Sequence, residues 1–205
     1  MNKQLILPII VLGIILIGSI YFFSKKPMEQ SNIQPSTSPS SSAPASGNDV
    51  TLKTSKGDIV IELYPDKAPV TVANFLKLAT SGFYNGTKFH RIIPNFMIQA
   101  GDPNTKGDDV SSYGMGGPGY TIADEFTNGL SNTRGMVAMA NTGQPHSGGS
   151  QFFINVVDNT SLDGGYSVFG KVVSGMDVAD AIVAVPRNTN DLPNDPIVIN
   201  SVEVK

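Results

Sequence analysis

Chemistry in this 205-residue chain must be done with few ionisable tools, because it has no Cys and only two His, at positions 90 and 146. Without Cys there is no disulfide framework, thiolate nucleophile, redox pair, iron–sulfur cluster or Cys-containing zinc site. Two His 56 positions apart make a histidine-rich metal centre unexpected. A Ser–His–Asp triad can be drawn from Ser150, His90 and Asp102. Ser150, however, lies in Ser-Gly-Gly-Ser-Gln-Phe-Phe and lacks the G-x-S-x-G turn that exposes a nucleophilic serine. Gly114-Met115-Gly116-Gly117-Pro118-Gly119 matches G-x-G-x-x-G by letter and fails on context. No parallel strand leads into it, and the Pro118 that it contains, with Tyr120-Thr121-Ile122 after it, opens no helix, so it reads as a Gly-rich surface loop. His146, in Gln144-Pro145-His146-Ser147, reads as a solvent-exposed loop residue.

What remains is a constellation on strands. Phe89-His90-Arg91-Ile92-Ile93-Pro94-Asn95-Phe96-Met97-Ile98-Gln99-Ala100-Gly101-Asp102 sets an arginine among apolar residues, then a short turn, then a second apolar strand containing a glutamine. Strand alternation puts Met97 and Gln99 on one face with Ile98 and Ala100 on the other, and likewise separates Gln151 and Phe153 from Phe152 and Ile154. If Phe152 and Ile154 fill the interior, Gln151 and Phe153 line the outside. Strict alternation would turn Phe96 away from Met97, so its placement depends on the Pro94-Asn95 turn. For Arg91, periodicity alone favours the bland reading, a surface salt bridge.

The elements that must hold these residues lie in the larger, C-terminal part of the chain. From Gln4 to Phe23 the sequence is nearly all apolar, about 20 residues, which as a helix at roughly 1.5 Å per residue crosses a hydrocarbon core of roughly 30 Å. Residues 1–26 are therefore expected to be an uncleaved membrane anchor. A cleaved secretory signal would have a shorter apolar core and a small-residue cleavage site, and a lipoprotein signal needs a Cys. Lys3 and Lys25-Lys26 nearly balance the positive-inside rule; the expected orientation is N-terminus in, with an extracytoplasmic domain. Residues 27–48, rich in Ser, Pro and Ala, read as a disordered tether. Residues 49–205 carry a net charge of −5 with no basic cluster, which argues against nucleic-acid binding.

Within 49–205 the apolar pattern predicts strands near 50–54, 59–63, 89–93, 97–100, 136–140, 151–156, 168–173 and 197–204. The turn Ser55-Lys56-Gly57-Asp58 makes the first two a hairpin. Val72, Phe75, Leu76 and Ala79 mark an amphipathic helix ended by Gly82, and Met176, Ala179, Ile182 and Val183 mark a second over about 176–185. The expected architecture is all-β with two helices, a closed eight-stranded antiparallel barrel capped by the helices, since closure removes exposed edges.

FHRIIPNFMIQAGD, GMVAMAN, GSQFFI and LDGGYSVFGKV, in this order across 49–205, resemble cyclophilin-type peptidyl-prolyl cis/trans isomerases. The family fold is the same eight-stranded barrel with two helices. The resemblance implies catalysis by Arg91, with Gln99 orienting it and Phe96, Met97, Phe153 and Leu162 walling a proline pocket. It further implies that Ala140, Asn141 and Gln151 form the groove for residues before proline, with His90 at its edge. Tyr166 stands where many members have a histidine and keeps an aromatic wall; Ser161 replaces the tryptophan of cyclosporin-sensitive members, so only weak cyclosporin binding is implied. The mechanism so implied needs no metal or other cofactor, and the partners implied are polypeptides containing X–Pro bonds, acted on by a monomer that assists their folding. The alternative is a proline-peptide binding module or holdase that does not depend on turnover, against which an intact Arg91 speaks. The loop 104–119 is longer than in compact members and 142–149 carries one extra residue, so the resemblance assigns nothing inside either.

Overall fold

A computed structural model describes residues 48–205. The anchor expected at 1–26 and the tether at 27–48, apart from Asn48, lie outside the described residues. Among the described residues no helix is long and apolar enough to cross a membrane.

All eight expected strands form: β1 (Asp49–Thr54), β2 (Gly57–Leu63), β3 (Arg91–Ile93), β4 (Met97–Ala100), β5 (Met136–Met139), β6 (Phe152–Asn155), β7 (Val168–Ser174) and β8 (Ile199–Val204). Two helices join them, α1 (Pro69–Thr80) and α2 (Met176–Val183). The strands make one antiparallel sheet in the order β3-β4-β6-β5-β7-β2-β1-β8.

The expected closed barrel is not what forms. β3 and β8 are the two edges of a curled sheet and share no ladder. The reason lies in what their backbone groups bond instead. The Ile92 N–H donates to Asp191 O (2.8 Å), so a loop covers the outer edge of β3. The segments just before the two edge strands meet each other: Lys88 bridges Val198, the Phe89 N–H donates to Ile197 O (2.9 Å) and the Ile199 N–H to Thr87 O (2.8 Å). That diversion also shortens β3 and β8 relative to the apolar runs 89–93 and 197–204.

α1 begins at Pro69, whose missing N–H costs nothing in a first turn. Its preceding residue, Ala68, has no side chain to cap it. Glu125 does so from 55 residues away, accepting the Val70 N–H (3.0 Å), the Thr71 N–H (2.8 Å) and the Thr71 hydroxyl (2.7 Å). Val72, Phe75 and Ala79 are buried as expected, Leu78 joins them and Leu76 lies half-buried at the margin. α2 stops at Val183, short of the expected 185, and buries Ala179 and Ile182.

One large apolar cluster occupies the inner face of the curled sheet. Ile98, Ala100, Phe152, Ile154 and Phe169 meet Phe75 of α1 and Ile182 of α2 there. Phe75 stacks near Tyr84, Phe152 and Phe169 with centroids 5.0, 5.4 and 5.2 Å away, tilted and edge-on arrangements that suit the ring quadrupoles. A second, smaller cluster lies on the opposite face of the same strands: Met97, Met136, Ala138, Phe153 and Val168, rimmed by half-buried Phe96, Leu162 and Tyr166.

Candidate functional site

Sheet register builds the site. Arg91 lies opposite Gln99, Gln99 opposite Phe153, and Phe153 opposite Ala138, a single row across β3, β4, β6 and β5. Because alternate residues share a face, this row and Met97 belong to the outer face. Phe96 joins Met97 there despite the alternation rule. Asn95 adopts a left-handed conformation (φ 58°) and the Phe96 N–H donates to Ile93 O (3.1 Å), so a tight turn re-aims the ring. The Phe96 carbonyl is then held by the Val156 N–H (3.1 Å) and by Asn159 Nδ2 (2.8 Å).

The opposite wall comes from a short 3₁₀ turn, Thr160–Leu162, and the residues after it. Leu162 and Tyr166 face the small cluster, with the Tyr166 ring edge-on to Phe153 at 5.4 Å and 87°. Ser161 is exposed. Phe96, Met97, Phe153, Leu162 and Tyr166 thus form one apolar cluster on the face that carries Arg91.

Arg91 is exposed and has no ion pair or hydrogen bond among the described residues, which removes the surface salt-bridge reading. Gln99 does not bond it; its Nε2 donates to Gln151 Oε1 (2.9 Å). Gln151 in turn donates from Nε2 to Gly114 O (3.0 Å) and Gly116 O (2.8 Å), so its amide spans from the strand to the Gly-rich loop. The Ala140 N–H pairs with Gln151 O (2.9 Å). Asn141 uses its side chain internally, Nδ2 donating to Gly165 O (2.8 Å) and Oδ1 accepting the Gly143 N–H (2.9 Å). Its main-chain N–H and C=O have no partner among the described residues, which leaves both groups able to pair with an incoming strand.

His90 is buried, and neither ring nitrogen has a hydrogen-bond partner among the described residues. Burial pushes its pKa below the usual histidine value. The Asp102 carboxylate opposes this, as do the Lys88 main chain and the Gln151 amide, both outside hydrogen-bond geometry, while the Arg91 cation adds to the lowering. Two cavities flank the row. One of about 450 Å³ is lined by Gln99, Ala140, Asn141, Gln151 and the Gly-rich loop; one of about 530 Å³ by His90, Arg91, Tyr113, Asn188 and Leu192. Gln99, Gly114 and Asn141 border both.

The rejected alternatives stay rejected. The Ser150 hydroxyl donates to Gly101 O (2.7 Å) and not to His90, and no helix follows 114–119. His146 is exposed, its Nδ1 accepting the Asp124 N–H (3.1 Å). Sequence reasoning missed Asn159, which fixes the Phe96 carbonyl from 63 residues away and leaves no local signal. It also missed Asp102 as a loop anchor, although Asp-Pro-Asn is a recognisable turn start.

A curled antiparallel sheet with two helices, and an outer groove with an arginine that is unpaired among the described residues, defines a class of protein. The family model for cyclophilin type peptidyl-prolyl cis-trans isomerase matches residues 49–204. The chain belongs to that family. It is 48% identical over 165 residues to a peptidyl-prolyl cis-trans isomerase of Acinetobacter baylyi, covering 76% of this chain and 85% of that protein. It is 47% identical over 169 residues to peptidyl-prolyl cis-trans isomerase B of Escherichia coli, covering 76% and 98%. A Cryptosporidium parvum cyclophilin-type isomerase crystallised in the presence of the dipeptide Ala-Pro superposes with a TM-score of 0.70 at 33% identity, covering 77% of this chain and 98% of that one.

Proposed function

We propose that residues 49–205 catalyse cis/trans rotation about X–Pro bonds, with Arg91 as the catalytic residue and the Phe96–Met97–Phe153–Leu162–Tyr166 cluster as the proline pocket. The observation that carries this reading is the exposed Arg91 guanidinium, without a partner among the described residues, on the face of the sheet that carries the small apolar cluster. Rotation must break amide resonance, a barrier of roughly 18–20 kcal/mol. In the twisted transition state the proline nitrogen regains a localised lone pair, and a guanidinium N–H directed there binds it better than the planar ground state. Arginine suits the task because it stays protonated and presents several donors in a planar fork. The apolar walls hold the ring and exclude competing water, while the free main-chain groups of Asn141 hold the preceding residues extended. No nucleophile, metal or titrating base enters.

The clients are polypeptides with X–Pro bonds, a reading supported by the relative crystallised with Ala-Pro. The domain acts as a monomer in assisting their folding. Tight cyclosporin binding is not expected, since exposed Ser161 offers neither a large ring nor an indole donor. The apolar run 4–23 supports a membrane anchor with the isomerase domain on the extracytoplasmic side. The full-length protein should then stay with membranes after a carbonate wash; recovery in the soluble fraction would overturn the anchor. The activity is tested by NMR exchange or a protease-coupled assay on an X–Pro peptide. An Arg91→Ala protein as fast as wild type would overturn the mechanism.

A further inference from the structure

The Gly-rich stretch has the letters of a phosphate loop, but its polar contacts run back into the groove. Asp102 is fully buried, and its two oxygens receive two main-chain donors: the Asn104 N–H on Oδ1 (2.8 Å) and the Gly114 N–H on Oδ2. From the other side, Gln151 Nε2 donates to the carbonyls of Gly114 and Gly116, and Gln151 Oε1 accepts from Gln99 Nε2. The loop lies directly on the carboxylate. A Cβ added at Gly116 would overlap Asp102 Oδ1 and come within 2.9 Å of the Asn104 side chain. One unbroken chain of contacts therefore leads from Asp102 through Gly114 and Gln151 to Gln99, the residue opposite Arg91 in the β3–β4 register.

We propose that Asp102 is a positioning residue of the isomerase groove, acting through the Gly114–Gly116 strap on the Gln151 and Gln99 amides. This rests on the isomerase reading above. The chemistry calls for a carboxylate because both groups arriving at it are N–H donors. An amide in its place would set its NH₂ against one of them, donor to donor. The strap then loses its inner anchor, Gln151 loses fixed acceptors, and Gln99 loses the fixed partner that holds it beside Arg91. A side chain displaced by a fraction of an ångström next to the reacting bond is enough to slow it.

The test uses the full-length protein with Asp102→Asn and Gly116→Ala, each alone and combined with Gln151→Ala, in an isomerase assay that separates kcat from KM. Either single substitution should lower kcat/KM about 5–10-fold, chiefly through kcat, with circular dichroism unchanged. In the Gln151→Ala background the same substitutions should cost less than about twofold, because the path they act through is already cut. Unchanged activity in a folded variant, or the full factor retained without Gln151, would overturn the proposal. Gly116→Ala presses on the same contact without removing the carboxylate, so it decides the matter should Asp102→Asn fail to fold. An inactive wild type would overturn the functional reading and this inference with it. An active wild type with additive effects overturns this inference alone.

Discussion

The two faces of β4 and β6 are both buried, yet they do different work. Inward, Ile98, Ala100, Phe152 and Ile154 join a cluster that α1 and α2 seal. Outward, Met97 and Phe153 are nearly as inaccessible, at 1% and 4% exposure, but their cluster is rimmed by half-buried side chains, with an arginine on the same face that is unpaired among the described residues. Burial alone therefore does not separate core from site. The difference is what covers each face: α1 and α2 inward, and outward only a rim of half-buried side chains, where the proposed function places the proline ring.

Exchanging equivalent residues on the two faces is the strongest way to break this contrast. Phe152→Ala should cost about 3–5 kcal/mol of stability in urea unfolding, because helices and sheet cannot both collapse onto the void. The fraction that stays folded should isomerise at the wild-type rate. Arg91→Ala should do the reverse, lowering kcat/KM about 10²-fold, or about 2.7 kcal/mol, with the melting temperature nearly unchanged, since an exposed and unpaired guanidinium leaves no broken contact behind. Phe153→Ala should fall between, losing about 2 kcal/mol of stability, less than a sealed site because water and neighbours can fill an unsealed one, and about tenfold in kcat/KM. Equal behaviour of Phe152→Ala and Phe153→Ala in both assays would erase the distinction.

His90 sharpens the border between the two regions by the smallest effect. Burial lowers its folded-state pKa, so on acidification the unfolded chain takes up the proton first, near the ordinary value of about 6.5. Stability is complete above that pH and declines as pH falls from there through the lowered folded-state value. Melting temperatures from pH 7.5 to 5 should therefore drop more steeply for wild type than for His90→Asn. Parallel profiles would show that the imidazole does not titrate against folding.

The elements were easy to read because they depend on local periodicity. Val72, Phe75 and Ala79 repeat at a helical spacing, and Phe152, Phe153 and Ile154 alternate, whatever else the chain does. Side-chain direction on β4 and β6 followed from the same rule. Phe96 did not, because one left-handed residue, Asn95, breaks the alternation. The sheet's open edges were equally hidden. Periodicity says which face a residue takes, not which backbone meets the sheet's edges: the Ile92 N–H of β3 goes to Asp191, and the segment before β3 pairs with residues 197–199.

By itself the sequence determined the tool set and the faces: no thiol, two histidines, one arginine among apolar residues, and strands whose alternate positions divide inside from outside. These are properties of composition and of neighbours a few residues apart. Only the tertiary structure decided that Gln99 bonds Gln151, that Glu125 caps α1 and that Asp102 holds the glycine strap. Those outcomes rest on hydrogen bonds between residues 12 to 55 positions apart, where chain topology and close packing choose the partner.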